Sequence, residues 1–351
     1  MCVGVDGKWK VCCKSMDSYR PSVETTTFEE YRSSPQYQQI VETMKTKWHP
    51  SCMNCKQMED TGIRQSLRMY ANKTYSSDPG IESIEFSLSN DCNFRCRMCG
   101  PKFSNKWIDL IQDYPNLIKT QKHDKFDIFD IQEINVNVED VLEGVDLSKI
   151  KTIKYLGGEP FISPKITRLF QYLEEKGVIG NIEFVVNTNC TFFPEKLVPY
   201  LLKFKNLIIC LSIDGYGELN DYIRDGKIRW KTVEEVTGEW AKFSWNSNTN
   251  LIITPTVQAY NIHDVYNIKK FAKKYDIKFK TQNLVRPRYL SLNALPPEYL
   301  ESVKNAENFE DIESAKFNPT FWKDFKEFTL DIDIAMEKSI KDYIPELYKY
   351  F

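Results

Sequence analysis

Residues 81–99, IESIEFSLSNDCNFRCRMC, join an apolar, strand-like run to a loop that contains three cysteines. Cys92, Cys96 and Cys99 have the spacing CxxxCxxC, which matches neither the paired CxxC of a zinc ribbon nor a disulfide framework. A structural zinc site takes four tetrahedral ligands, and a Cys₄ iron-sulfur cluster takes four cysteines. Three thiols in one loop therefore leave one metal position open, and an open position is where chemistry can occur.

The same run is the first of six strand-like runs that alternate with longer amphipathic stretches. The six runs are IESIEFSL, TIKYL, IEFVVN, NLIICLSI, LIITPTVQ and DIKFKTQNL. Strands that alternate with helices indicate an α/β fold with a parallel sheet. A closed eight-unit barrel takes about 250 residues, whereas this region is shorter and includes a long polar insertion near 109–150. The pattern therefore predicts a partial (βα)6 TIM-like barrel.

The sequence patterns divide the chain into three predicted regions. Residues 1–80 hold five of the ten cysteines and show little apolar periodicity, which is typical of a small metal-binding module. Residues 81–290 form the predicted barrel. Residues 291–351 mix aromatic and charged side chains, which predicts a helical C-terminal segment that covers the barrel.

The composition argues against several classes of function. A formal net charge of -2 and a pI near 6.1 provide no basic surface for nucleic acid or for a membrane. The longest apolar stretch, LIICLSI, is far shorter than a membrane span, and the N-terminus lacks the apolar core of a signal peptide. We therefore expect a cytoplasmic protein whose cysteines stay reduced and bind metal. The three histidines (His49, His123 and His263) are too scattered for a histidine metal site or a catalytic triad.

Polar or glycine-rich sequences follow the next three runs, at the strand ends where parallel α/β folds bind ligands. The second run ends in Gly157-Gly158-Glu159-Pro160, whose glycines allow unusual φ angles and a close approach of the backbone. The third run ends in Asn187-Thr188-Asn189, whose side chains could bind a cofactor carboxylate or cap the next helix. The fourth run ends in Ser212-Ile213-Asp214-Gly215, and Arg224 follows it in NDYIRDG.

Two arginines and two isolated cysteines also have an expected role. Arg95 and Arg97 lie between the cysteines of the loop. They either offset the negative charge of a thiolate-ligated cluster or are solvated loop residues. Cys190 and Cys210 each flank an apolar run, and we expect them to be buried core residues.

In this order, CxxxCxxC, GGEP and SIDG resemble the motifs of the radical S-adenosylmethionine (SAM) superfamily. The resemblance implies that the three loop cysteines hold three irons of a [4Fe-4S] cluster, whose fourth iron binds the amino and carboxylate groups of SAM. The family commonly has an aromatic residue at the position of Met98, and the adaptable thioether is a tolerable replacement. The other implied SAM contacts are Gly157, Gly158 and Glu159 to the amino group, Asn187 and Arg224 to the carboxylate, Ser212 and Asp214 to the ribose, and Val257 to adenine. Alternatively, Arg224 is a surface arginine and Val257 is a core residue.

The cysteines of residues 1–80 can supply a second metal site. The pattern DGKWKVCC, then Cys52-Met53-Asn54-Cys55, then NLVRPRYLS resembles the twitch-domain branch of radical SAM proteins, which is related to the SPASM enzymes. This resemblance implies an auxiliary iron-sulfur cluster, although four thiolates also suit a structural zinc ion. The candidate ligands are Cys12, Cys13, Cys52 and Cys55, with Cys2 as a further candidate.

The resemblance also implies a function. Such an enzyme cleaves SAM reductively to methionine and a 5'-deoxyadenosyl radical, which abstracts hydrogen from a substrate. Many twitch and SPASM relatives act on polypeptides, so we expect a peptide or protein substrate and a reductant protein such as a flavodoxin or ferredoxin. One alternative is radical chemistry on a nucleotide or small metabolite. Another is a non-catalytic zinc or iron-sulfur scaffold, which would leave GGEP and SIDG without a role.

Overall fold

The computed structural model describes residues 1–4, 6–13, 15, 19–61, 66–75, 80–117 and 136–351. Its strands are β1 Cys2–Val3, β2 Trp9–Lys10, β3 Ser83–Ser87, β4 Thr152–Leu156, β5 Glu183–Thr188, β6 Asn206–Leu211, β7 Thr249–Ile253, β8 Thr256–Val257, β9 Lys278–Phe279 and β10 Gln282–Asn283. Its helices are α1 Phe28–Ser33, α2 Pro35–Thr46, α3 Met53–Thr61, α4 Leu67–Thr74, α5 Lys106–Asp113, α6 Val138–Leu142, α7 Pro164–Glu175, α8 Val198–Leu201, α9 Glu218–Ile223, α10 Trp230–Trp245, α11 Val265–Lys274, α12 Pro297–Val303, α13 Phe309–Glu313, α14 Pro319–Met336, α15 Ile340–Tyr343 and α16 Pro345–Tyr348. None of these described helices combines the length and the apolar character that a membrane crossing requires. His123 and much of the predicted polar insertion lie outside the described residues.

The chain forms two compact units, each assembled from separate stretches of sequence. The first unit comprises Met1–Ser89, Glu133–Val186 and Leu197–Leu207. The second unit comprises Asn90–Gln132, Asn187–Lys196 and Ile208–Phe351. The three regions predicted from the sequence follow other boundaries and remain a prediction.

The first unit is built on parallel strands. β3 and β4 pair in register, with Ser83 opposite Thr152. β4 continues the parallel arrangement with β5, β1 pairs in parallel with β3, and β2 runs antiparallel to β1. Helix α7 packs its apolar face against these strands, where the rings of Phe170 and Phe184 meet edge to face at 5.1 Å. These contacts bury the core of the first unit.

All six predicted runs contain strands, which confirms the α/β class. The described pairs β1–β3, β3–β4, β4–β5, β7–β9 and β8–β10 are all parallel. The short strands β1 and β2 were not predicted, because two residues are too few to show an alternating pattern.

In the second unit, Pro255 divides the fifth predicted run into two strands. β6 pairs with β7, which in turn pairs with β9, and β7 ends at Ile253. Proline has no backbone N–H to donate, so it interrupts a ladder of hydrogen bonds. β8 therefore pairs separately with β10. The sixth predicted run is likewise divided between β9 and β10.

The predicted helical C-terminal segment is present as α12–α16. The side chain of Asn318 accepts hydrogen bonds from the N–H groups of Thr320 and the next residue, which caps the start of α14. Phe325, Phe328 and Ile332 on this helix are fully buried in the core of the second unit. This apolar face holds α14 in place.

The two single cysteines differ in burial. Cys190 is fully buried, which confirms the prediction of a core residue. Cys210 is only half-buried, so the prediction for it was wrong. Burial alternates along β6, and Cys210 lies on the more exposed face of that strand.

Candidate functional site

The cysteine loop, residues 92–99, belongs to the second unit. Cys92 and Cys96 are 8% and 5% exposed, Cys99 is half-buried, and none of the three forms a disulfide. The indole Nε1 of Trp107, on α5, donates to the carbonyl of Cys96 at 3.1 Å. The three thiols therefore lie in a largely desolvated loop that is supported by the following helix.

The backbone of the loop pairs with the last residue of α9 and with the segment that follows it. The N–H of Arg95 donates to the carbonyl of Asp225 at 2.8 Å, and the N–H of Arg97 donates to the carbonyl of Ile223 at 2.9 Å. These hydrogen bonds hold the loop in one conformation.

Asn189 connects the cysteine loop to the residues that follow β5. Its Nδ2 donates to the Oδ1 of Asn93 at 2.7 Å and to the Sγ of Cys92 at 3.9 Å. Asn93 donates to the hydroxyl of Thr191 at 2.8 Å, and that hydroxyl donates back to the Oδ1 of Asn189 at 2.7 Å. The predicted cofactor residue in this motif was Asn187, which is half-buried, whereas the structure brings Asn189 to the loop.

Arg224 lies beside the thiol of Cys96, with 4.0 Å between Nη1 and Sγ. Its Nε and Nη2 lie 2.7 and 2.6 Å from the Oδ2 of Asp214. Burial opposes the positive charge, but the Asp214 carboxylate and the neighbouring cysteines outweigh it and raise the pKa of Arg224 above its ordinary value. The Arg224 side chain is only 11% exposed, so the alternative of a surface arginine was wrong.

The thiol of Cys96 is a weak acid in this environment. A hydrogen bond with Cys99 and burial raise the pKa of Cys96 well above its ordinary value, while the positive charge of Arg224 acts in the opposite direction. A thiol with a raised pKa is protonated at neutral pH. Metal binding must therefore displace this proton.

The remaining predicted residues of the second unit lie at or near the ends of β6 and β8. Besides its bond to Arg224, Asp214 accepts a hydrogen bond from the N–H of Thr256 at 2.7 Å, through Oδ1. Both carboxylate oxygens of Asp214 are therefore engaged within the protein. Ser212 is half-buried, and Val257 is fully buried in the hydrophobic core. The expected roles of these residues toward ribose and adenine remain predictions.

The GGEP loop belongs to the first unit. Gly157 and Gly158 have φ angles of 97° and 51°, so both use the unusual conformations that glycine allows. A Cβ at Gly157 would lie 2.6 Å from the carbonyl oxygen of Ser89. Glu159 is buried, and its carboxylate accepts a hydrogen bond from the N–H of Phe161 at 3.2 Å. The expected role of Gly157, Gly158 and Glu159 toward the SAM amino group remains a prediction.

Residues 86–272, more than half of the 351-residue chain, match the family model of the Radical SAM superfamily. The chain belongs to the Radical SAM superfamily. The matched range contains both the cysteine loop and the GGEP loop. No curated protein matches this radical SAM chain in sequence.

Several solved structures are similar to this radical SAM chain. AdoMet-bound anSMEcpe is 18% identical, with a TM-score of 0.44 over 74% of the chain. Streptococcus suis SuiB bound to S-adenosylmethionine is 15% identical, with a TM-score of 0.35 over 72% of the chain. SuiB bound to the precursor peptide SuiA is 14% identical, with a TM-score of 0.35 over 82% of the chain. The chain covers 63%, 56% and 60% of these proteins, respectively, which is less than two thirds of their length.

Members of the Radical SAM superfamily use a [4Fe-4S] cluster and SAM. The cysteine loop fits such a cluster, because it offers three thiols that form no disulfide, and because Arg224 places a cation beside Cys96 and Asn189 an amide donor toward Cys92. Among the described residues, no three Cys, His, Asp or Glu side chains are placed to hold one metal ion. In a radical SAM cluster the three cysteines bind three different irons, so the loop does not need the arrangement of a single-ion site.

The five N-terminal cysteines all belong to the first unit, and some of them influence one another electrostatically. Burial raises the pKa of Cys52, and the neighbouring thiols of Cys12 and Cys55 raise it further. Cys2 is buried, and burial raises its pKa, with a smaller contribution from Cys13. Cys52 is thus influenced by Cys12 and Cys55, and Cys2 by Cys13, while the choice of ligands among the five remains a prediction.

Asn189 and Asp225 are among the residues that support the cysteine loop and that sequence reasoning missed. Asn189 lies in the motif from which Asn187 was selected, and no local pattern distinguishes the two. Asp225 follows Arg224 directly and accepts from the loop backbone. The glycine at position 226 is the sequence feature that could have indicated this close approach, because a Cβ there would lie 2.4 Å from the Phe94 ring.

Proposed function

We propose that this chain is a radical SAM enzyme that cleaves SAM reductively and abstracts a hydrogen atom from a peptide or protein. The observation that carries the proposal is the largely buried cysteine loop, whose three thiols form no disulfide and lie within the residues that match the family model. When bound, the cluster supplies one electron to SAM, whose carbon–sulfur bond breaks to give methionine and a species that abstracts hydrogen.

Five side chains have proposed roles toward the cluster. Cys92, Cys96 and Cys99 bind it as thiolates. The guanidinium of Arg224 favours the thiolate form of Cys96, since a nearby positive charge stabilises a negative one. Asn189 orients Cys92 and donates a hydrogen bond to its sulfur.

The proposed SAM contacts follow the resemblance of the motifs to those of the family. They are Gly157, Gly158 and Glu159 for the amino group, Asn187 and Arg224 for the carboxylate, Ser212 and Asp214 for the ribose, and Val257 for adenine. The charge of Arg224 suits a carboxylate ligand, because a guanidinium offers a planar pair of donors. The buried surroundings of Arg224 and Asp214 would exclude water from this part of the site.

The polypeptide substrate rests on the resemblance of the N-terminal cysteine pattern to the twitch branch. Cys12, Cys13, Cys52 and Cys55 are the proposed ligands of an auxiliary iron-sulfur cluster. The influence of Cys12 and Cys55 on the pKa of Cys52 supports a cluster, whose cysteines bind different irons, over a single zinc ion, since the described residues form no single-ion site. A flavodoxin or ferredoxin is the proposed electron donor.

Deuterium transfer tests the substrate class. The anaerobically reconstituted protein is incubated with SAM, dithionite and a uniformly deuterated peptide mixture, and 5'-deoxyadenosine is analysed by mass spectrometry. We expect deuterium in the 5'-deoxyadenosine, because the hydrogen abstracted from the peptide remains in this product. A parallel incubation with deuterated nucleotides examines the alternative substrate class.

The two incubations distinguish a polypeptide substrate from a nucleotide substrate. Deuterium from the peptide incubation alone supports a polypeptide substrate. Deuterium from the nucleotide incubation alone would show that the proposed polypeptide substrate is wrong. The Cys96→Ala variant is the control, and it should transfer no deuterium in either incubation.

A further inference from the structure

Arg97, which lies between Cys96 and Cys99, is a buried charge. Its side chain is 0% exposed, so the alternative of a solvated loop residue was wrong for Arg97. Its Nε donates to the carbonyl of Tyr222 at 2.8 Å, and its guanidinium carbon lies 3.6 Å from the centre of the Tyr222 ring. A buried guanidinium needs an anionic partner, because desolvation of an unpaired charge is very unfavourable.

The anionic partner is Asp333, near the end of α14. Its Oδ1 accepts hydrogen bonds from the Nη2 of Arg97 at 2.6 Å and from the hydroxyl of Tyr222 at 3.0 Å. Its Oδ2 accepts from the N–H of Ile340, the first residue of α15, at 2.6 Å. One carboxylate therefore joins the cysteine loop, α9 and the C-terminal helices.

A second ion-pair network also connects the cysteine loop to the segment that follows α14. The Nε of Arg95 donates to the Oδ2 of Asp225 at 2.5 Å, and the Nζ of Lys338 lies 2.6 Å from the other oxygen of that carboxylate. Lys338 follows the end of α14 by two residues. The Arg95 side chain is 36% exposed, so this network contributes less than the buried pair.

We propose that residues 333–338 position the cysteine loop for cluster binding, with Arg97 and Asp333 as the principal pair. This inference rests on the proposed function, because it takes the cysteine loop as the cluster site. The family model ends at residue 272, so the positioning segment lies outside the matched residues. A loop that is already ordered before the cluster binds loses less conformational entropy on binding. Arg97 and Asp333 are positioning residues, since neither is a proposed metal ligand.

Hydrogen exchange in the metal-free protein tests the positioning role without the cluster. Asp333→Asn removes the charge at nearly constant size, and Glu327→Gln makes the matched change at an exposed position of α14. The N–H groups of Arg95 and Arg97 are hydrogen-bonded in the structure, so a peptide covering 93–99 reports on the loop. We expect exchange in this peptide to be roughly tenfold faster in Asp333→Asn, and unchanged in Glu327→Gln.

Iron release provides a second readout that does not depend on activity. A Cys52→Ala and Cys55→Ala background removes the proposed auxiliary ligands, so that the iron counted comes from the cysteine loop. We expect Asp333→Asn in this background to release iron to a chelator roughly tenfold faster than the same protein with Glu327→Gln.

A further variant keeps the proposal testable should Asp333→Asn fail to fold. Lys338→Gln removes one of the two cationic partners of Asp225, together with the hydrogen bond from Lys338 to the carbonyl of Asp221, and leaves Arg97 and Asp333 paired; we expect it to accelerate exchange in 93–99 by a smaller factor. Wild-type exchange and wild-type iron release in folded variants would overturn the positioning role and leave the proposed function intact. A wild-type protein that takes up no cluster at the loop would overturn both.

Discussion

Replacement of Asp214 by asparagine is expected to lower the free energy of unfolding by about 3–5 kcal/mol, the cost of leaving a buried charge without its partner. Asp214 is fully buried and binds Arg224 through Oδ2 and the N–H of Thr256 through Oδ1. Asparagine can replace the acceptor for Thr256, but it cannot balance the guanidinium. Chemical denaturation of the metal-free protein measures the loss.

A matched control separates the loss of the buried ion pair from the general effect of replacing an aspartate by asparagine. Asp342→Asn makes the same change at an exposed position of α15, and we expect a loss of less than about 0.5 kcal/mol. A double-mutant cycle with Arg224→Gln should show coupling between the two sites, because the double variant no longer contains an unpaired charge. If Asp214→Asn were as stable as the Asp342→Asn control, the buried pair would have no structural importance.

Gly157→Ala should also destabilise the protein strongly, by about 2–4 kcal/mol. The φ angle of 97° is unfavourable for any residue with a side chain, which costs about 1 kcal/mol. The added Cβ would also lie 2.6 Å from the carbonyl oxygen of Ser89 and 3.0 Å from the Cβ of Ser87, so the backbone must move at a further cost of about 1–3 kcal/mol. Thermal or chemical unfolding measures the sum.

Gly177→Ala is the matched control for this prediction. Gly177 has a φ angle of 68°, but no atom lies within 4 Å of an added Cβ. This variant should lose only the backbone contribution of about 1 kcal/mol. Equal losses in the two variants would mean that the GGEP loop relaxes to make room for the methyl group, contrary to the close packing described above.

The parts of the fold that depend on local pattern could be predicted from the sequence. The run around Ile84 predicted β3, and the alternation of apolar residues along the later runs predicted β4 to β6. The sequence also showed that the GGEP loop could adopt an unusual conformation, because glycines allow the positive φ angles that Gly157 and Gly158 have. Each of these features is determined by residues close to one another in the chain.

The contacts that support the cysteine loop could not be predicted in this way. Arg97 and Asp333 are separated by 236 positions, and no spacing rule connects them. A charged residue in a loop is normally solvated, so only the packing of Tyr222 against the guanidinium reveals that Arg97 is buried. The prediction for Cys210 failed for a different reason. Its apolar neighbours in the sequence did not determine which face of β6 the thiol occupies.

The formation of 5'-deoxyadenosine tests most directly whether the cysteine loop supports SAM cleavage. The wild-type protein, Cys96→Ala and Cys190→Ala are reconstituted anaerobically and incubated with SAM, dithionite and a peptide mixture, and the product is quantified by mass spectrometry. Cys190 is the matched control, because it is a fully buried cysteine that is not a proposed ligand. We predict product from the wild type and from Cys190→Ala, and none from Cys96→Ala. Product at the wild-type level from Cys96→Ala, or none from a wild-type protein that carries its cluster, would contradict the assignment.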